Sequence, residues 1–364
     1  MKFKFLILAL LTIIPSLGFA AVFGDFEYTV TDNRITIDWY SGSNASVQIP
    51  SQINNVPVTT IDISGCTKIK SIKIPSSVES IYFYDCSEMI SIDVDPTNPD
   101  FKSVNGVLFN KSMTTILQFP SGKSGSYSIP KGVTTIGAEA FYYCAKVTKI
   151  TIPNSVTTIE GDSFNRCTSV TSITIPKSVT EISEGAFSND WNLTSINVDP
   201  TNPDFKSVNG VLFNKSMTTI LQFPGGKSGS YSIPIGVTTI GEQAFEGSSK
   251  ISSITIPSSV SAIGEIAFQD CFSLKDVTIL NGLKSIPDDT FMGCTNLRRI
   301  TIPSSVDSMG DAFRYCFNLG EIYFLGSPPS FSGQIIDECV VYYLPSATGW
   351  DETYAGMQTK SRSF

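Results

Sequence analysis

The sequence predicts a solenoid of mostly short parallel strands stacked in about twelve coils, with an N-terminal β-hairpin cap, two inserted hairpins and a C-terminal cap. Three observations carry this. The unit Ile-x-Ile-Pro, or a close variant, ends at Pro130, Pro153 and Pro176 and again at Pro234, Pro257 and Pro303, with neighbouring copies 23 residues apart. The same apolar skeleton follows each copy, as in Ile150 to Val170. Residues 94–141 and 198–245 are nearly identical at an offset of 104, so a larger duplication is written over the short period.

Taken in order, residues 1–20 read as a secretory signal: Lys2 and Lys4 form the positive end, Phe5 to Ile14 the apolar run, and Gly18-Phe19-Ala20 the small-residue site, placing cleavage near Ala20 and Ala21. That apolar run is too short to remain as a membrane span, and no second one follows, so an exported chain without a transmembrane segment is expected. The first cysteine is Cys66, which argues against a lipid anchor at the new N-terminus. Residues 21–46 alternate as a β-hairpin turning at Asp32-Asn33 and are expected to cap the stack. Residues 47–323 form the solenoid, and 324–364, where Val340 to Leu344, Trp350 and Tyr354 break the period, form the second cap.

Within a coil, Ile-x-Ile has period two and reads as a short strand with both isoleucines buried. Proline ends that strand. Val-x-x-Ile, as in Val156 to Ile159, gives an inward pair on the opposite wall, and Gly137, Gly241 and Gly264 are expected to turn there with positive φ. Ala-Phe, as in Ala140-Phe141 and Ala267-Phe268, sets one small and one large side chain inside, which lets stacked coils interdigitate. A stack of this kind, with strands about 4.8 Å apart, measures about 55 Å. In the long coils, Asn105-Gly106 between Phe101–Val104 and Val107–Phe109 is a hairpin signal, expected to project beside the solenoid here and again at 205–223.

The string I-x-I-P-x-S-V-x-x-I-G-x-x-A-F-x-x-C-x-x-L, carried by Pro153, Val156, Ile159, Phe164 and Cys167, resembles the 23-residue leucine-rich repeat of the BspA type, also called the Treponema pallidum class. The resemblance covers most of 47–322. Coils Ile72 to Ile90, three residues short, and Val277 to Leu297, where Leu280 replaces proline, depart from it. It implies a leucine-rich-repeat solenoid, secreted or displayed at a bacterial or protist surface, that binds proteins, with adhesion to host matrix or to other microbes in some members.

Composition narrows the chemistry. The formal charge of −8 becomes −10 once Lys2 and Lys4 are removed, and there is no basic stripe, so nucleic acid is not an expected partner. With no histidine, Ser-His-Asp and Cys-His catalysis are excluded together with the commonest metal ligand. Cys66, Cys86, Cys144, Cys167, Cys271, Cys294 and Cys316 share one coil position, which reads as a ladder of small buried thiols, although stacked neighbours such as Cys144 and Cys167 lie within disulfide reach. Asp93 to Asp100 has the oxygen density of a calcium loop but lacks its glycine and distal glutamate, and a proline-rich turn is expected instead. Paired carboxylates recur at no defined site, so neither an enzyme nor a cofactor is expected.

The remaining candidates are the outward residues of the Ile-x-Ile wall: Lys149, Thr151, Thr174, Thr255, Asp276, Thr278, Arg298, Arg299, Thr301, Glu321 and Tyr323. Threonine columns are the expected composition of a bland sheet surface. Near the C-terminal end they give way to Asp276, Arg298, Arg299, Glu321 and Tyr323, and Arg and Tyr are favoured hot-spot residues. The expected partner is an extracellular protein or matrix ligand bound on this wall; the alternative is an architectural or glycan-binding envelope component.

Overall fold

The computed structural model describes residues 21–333 and 339–363, so the expected signal segment 1–20 lies outside the described residues. The chain is a β-solenoid of about thirteen turns, and no helix occurs among the described residues. Each regular turn contributes one strand to a first wall, for example Ser172–Ile175, and a two-residue strand to a second, for example Glu181–Ile182. Proline works between them as expected: the Val156 N–H donates to the Pro153 carbonyl at 3.1 Å, closing a tight turn. Ile150, Val156, Ile159 and Phe164 are all buried.

The Ala-Phe segment forms the return side. Its phenylalanines stack from coil to coil, Phe141 on Phe164 at 5.2 Å, Phe164 on Phe187 at 5.3 Å and Phe268 on Phe291 at 5.2 Å, with planes within 17° of parallel. Each buried ring is worth about 2–3 kcal/mol in area removed from water, so this column is a major part of the core. The cysteines stand beside it. Each of five thiols donates to the carbonyl of the phenylalanine one coil back, from Cys144 to Phe119 at 3.5 Å to Cys316 to Phe291 at 3.0 Å. Cysteine suits the place because it is small and apolar yet carries a weak donor.

Three expectations change. Gly137, Gly241 and Gly264 do not have positive φ; the left-handed residue comes two positions later, at Glu139, Gln243 and Ile266, with φ of 57°, 55° and 59°. Glycine is needed for close approach instead: a Cβ on Gly137 or Gly241 would lie 2.9 Å from the carbonyl of Ile116 or Ile220 on the preceding turn. The ladder also contains one oxidised rung, since Cys66 and Cys86 form a disulfide while Cys144, Cys167, Cys271, Cys294, Cys316 and Cys339 are free and buried.

The inserts, finally, do not project. Phe101–Val104 and Val107–Asn110 pair as a hairpin through Asn105 and Gly106, both with positive φ, but Val107, Leu108 and Phe109 are no more than 2% exposed. Val107–Asn110 then pairs with Thr115–Gln118, which joins the second wall at Thr135–Ile136, while the Gly106 carbonyl accepts from Ile92 on the first wall. The insert therefore fills its coil from wall to wall, and the copy at Phe205–Gln222 repeats the arrangement. Before it, the Asp93 to Asp100 segment is a turn organised by buried Asn98, whose Nδ2 donates to the Pro75 and Val78 carbonyls.

At the N-terminal end, Phe26–Thr31 and Arg34–Tyr40 form the hairpin over Asp32-Asn33, and Arg34–Tyr40 continues in parallel into Val56–Ser64. At the other end, Val340–Tyr343 and Met357–Ser361 extend the first wall in parallel register. Phe324, Trp350 and Tyr354 close the open core there, with ring centroids 5.0–5.4 Å apart and the Trp350 Nε1–H bonded to the Gly326 carbonyl.

Candidate functional site

The first wall is not one sheet. Lys149 and Thr151 lie on Val147–Thr151, which pairs with Gly125–Ser128, and Thr174 lies on Ser172–Ile175, which pairs with Ser195–Val198. The second insert then interrupts the wall. From Gly229 onward it is continuous through Ile251–Ile256, Asp276–Ile279, Arg299–Ile302 and Glu321–Phe324 into the two terminal strands. Thus Thr255, Asp276, Thr278, Arg299, Thr301, Glu321 and Tyr323 share one surface, with Arg298 at its edge, whereas Lys149, Thr151 and Thr174 stand apart.

Register fixes two outward columns on this sheet. One runs Ser232, Thr255, Thr278, Thr301, Tyr323, Tyr342 and Lys360. The other includes Ser230, Ser253 and Asp276, and, further along, Arg299 opposite Glu321. Hydroxyls therefore give way to aromatic and charged groups within a few strands. The Tyr323 and Tyr342 rings stack at 5.0 Å, and the Arg362 guanidinium lies over Tyr342 at 5.2 Å. The Tyr323 hydroxyl donates to Glu321 Oε2 at 2.8 Å and accepts from Arg362 at 3.4 Å. Partial burial, then the hydrogen bond to Glu321, pushes the Tyr323 hydroxyl above its ordinary pKa, so it stays a neutral donor at physiological pH.

Beside these columns lies an open depression of about 780 Å³, bordered by Lys275, Arg298 and Arg299 on the cationic side and Asp276 and Glu321 on the anionic side. Four ion pairs occur among the described residues and none uses these three cations. On a chain of net charge −8 this is a local exception. A concentrated, partly preorganised set of guanidinium and phenol groups suits recognition of carboxylates and of polar protein surface. It offers no enclosed cleft, and among the described residues no three metal-ligating side chains converge.

Sequence reasoning missed Tyr342, Lys360 and Arg362. The signal was present as alternation in Val340-Val-Tyr-Tyr343 and Met357-Gln-Thr-Lys360, but without the proline that marks other coils these strands read as cap alone.

Comparison with known proteins places these features. The family description "BspA type Leucine rich repeat region (6 copies)" matches residues 39–126, 118–231 and 222–341. Among solved structures, a leucine-rich cell surface protein from Faecalibacterium prausnitzii is 25% identical, with a TM-score of 0.56 over 88% of this chain and 96% of that one. The pneumococcal vaccine antigen PcpA, 20% identical, has the same fold with a TM-score of 0.56 over 90% of this chain and 87% of that one. No curated protein matches the chain. No helix among the described residues is long and apolar enough to cross a membrane. With matches running from residue 39 to 341, the chain belongs to the BspA-type leucine-rich-repeat family.

Proposed function

We propose that this protein is exported through its N-terminal segment and binds an extracellular protein or matrix ligand on the C-terminal part of its first wall, acting as an adhesion or protein-interaction module without catalysis. The observation that carries this reading is the change along one continuous sheet from Ser230, Ser253 and Thr255 to Arg299, Glu321, Tyr323 and Tyr342 in register. Hot-spot chemistry is concentrated where the wall is unbroken, and a rigid sheet holds it without an ordering cost on binding. The leucine-rich cell surface protein of Faecalibacterium prausnitzii supports the surface setting.

Purified protein passed over immobilised matrix proteins tests it. Saturable binding that falls roughly tenfold or more in Arg299→Ala and Tyr323→Ala, but not in Thr174→Ala, is expected. Binding only to polysaccharide or peptidoglycan would instead identify an envelope component, a reading the half-buried Tyr323–Tyr342 ring pair also accommodates.

A further inference from the structure

The two inserts are nearly identical, yet their surroundings differ, and the difference opens a groove. Next to the second insert, the turn 185–190 lies directly on the turn 243–248: the Asn189 N–H donates to the Glu246 carbonyl at 3.4 Å, its Nδ2 donates to the Glu246 carboxylate at 3.0 Å, and Glu246 is buried. The corresponding turn at 139–144 has no such cover. The coil before it is three residues short, so Ser80–Tyr84 runs as one extended strand where its counterpart makes the double turn of 183–190. What remains is a step about 560 Å³ in volume between Ser80–Tyr84 and Thr115–Gln118, floored by Phe101, Leu108 and Leu117.

Two features of this step limit what it accepts, and the charge around it sets the sign. Among the described residues Ser80–Tyr84 pairs only with Val56–Ser64, so its other edge ends the sheet and presents unpaired backbone groups towards the groove. Tyr82 and Tyr84 line it and are 49% and 38% exposed as residues, unusual for aromatic residues on a wall where Ile61, Ile63 and Phe83 are buried. Glu139 and Glu160 border the far side. Burial pushes the Tyr84 hydroxyl up, with Glu139 and Asp62 adding to it, so the groove is electronegative at the tyrosines. Glu79, also on the rim, is already engaged by Arg34.

An edge strand takes an extended backbone, phenol faces attract cations, and carboxylates reject acidic segments. We propose that this groove is a second binding site, for an extended lysine- or arginine-rich polypeptide segment laid along the free edge of Ser80–Tyr84 with its cationic side chains over Tyr82 and Tyr84. It is separate from the C-terminal patch, and neither site requires the other.

The probe is a labelled peptide of alternating lysine and threonine, roughly eight residues long to match a strand, titrated into the full chain by fluorescence anisotropy. Saturable binding is expected, weakened roughly tenfold or more in the double variant Tyr82→Ala/Tyr84→Ala and in Glu139→Lys/Glu160→Lys, and unchanged in Arg299→Ala. Glu139→Lys alone guards against misfolding and should weaken binding in the same direction, because Glu139 is exposed, whereas the Glu160 carboxylate also accepts the Ala138 N–H at 2.8 Å. A peptide N-methylated at alternate residues keeps the charge but cannot pair with an edge, and it is expected to bind poorly. The proposal is overturned if the tyrosine variant binds as the parent does, if the methylated peptide binds equally well, or if a glutamate–threonine peptide competes. Matrix binding through Arg299 and Tyr323 is read in a separate assay, so the two ideas fail independently.

Discussion

Asp190 occupies the cysteine position of its coil and is 1% exposed, with no hydrogen-bond partner for its Oδ1. Burial pushes its carboxyl well above the usual carboxylate range, and a hydrogen bond with the Cys167 backbone offsets this only in part. Replacing it by cysteine restores a thiol aimed at the Phe164 carbonyl, as Cys167 is aimed at Phe141 and Cys271 at Phe245. An unsatisfied buried acceptor costs about 1–3 kcal/mol. Taking ~2 kcal/mol, and an unfolding entropy of about 2 cal/mol/K per residue over roughly 340 residues, Asp190→Cys raises Tm at pH 7 by about 3 °C if the solenoid melts as one unit. The sign with pH follows from the raised value. The folded state holds the proton more tightly, so the stabilisation from protonated Asp190 is fully present below the unfolded value near 3.8 and is lost as pH rises towards the folded one. Differential scanning calorimetry between pH 3.5 and pH 7.5 checks this. The advantage of the variant should grow with pH, and Glu246, whose carboxyl burial also raises, cancels because it is common to both proteins. A variant no more stable than the parent at pH 7, or an advantage independent of pH, would refute the reasoning.

Other consequences follow from the same coil. Ile266 is a β-branched residue at φ 59°, a conformation that costs such a residue about 1–2 kcal/mol; Ile266→Asn should therefore raise the denaturant midpoint, the gain being about 1 kcal/mol. Thiol titration of the unfolded, unreduced chain should find the six free cysteines, with Cys66 and Cys86 reacting only after reduction. Reduction should also cost about 3 kcal/mol, mainly in the N-terminal turns, which hydrogen exchange can localise. Phe268→Ala, in the middle of the stacked column between Phe245 and Phe291, should lose about 3–5 kcal/mol by equilibrium denaturation, with secondary structure retained at low denaturant.

The repeating skeleton was legible because every inward position meets its own equivalent one coil away, so a residue that packs once packs every time. Pro153, Val156, Ile159 and Phe164 could be placed from spacing alone. What failed was conformation. Gly137 serves an interatomic approach to Ile116, and sequence spacing cannot separate that need from a positive φ that falls on Glu139 instead. The insert was misjudged despite a readable sign: Val107-Leu108-Phe109 is an uninterrupted apolar run, the mark of a strand buried on both faces rather than a projecting hairpin. Of the candidate site, the column from Thr255 to Tyr323 was legible as period two, but continuity was not. Whether adjacent strands pair depends on what the insert does between them, and that is a three-dimensional matter.

Cost explains why function would collect at irregular places. An inward substitution here is felt by two neighbouring coils at once, whereas outward residues on the walls contribute within about 0.5 kcal/mol and are free to change. Free variation alone gives scattered differences, as at Lys149 and Thr174, which share no sheet. Turning scatter into a site needs outward residues held in register over several strands, as on the run from Gly229 to Ser361, or an interruption that exposes what the stack normally covers. The short coil at Ser80–Tyr84 is such an interruption. Losing three residues replaces a double turn with a five-residue edge strand and uncovers the flank of the next coil in one step, whereas at the second insert the equivalent edge strand is only Glu181–Ile182 and the turn 183–190 closes that flank.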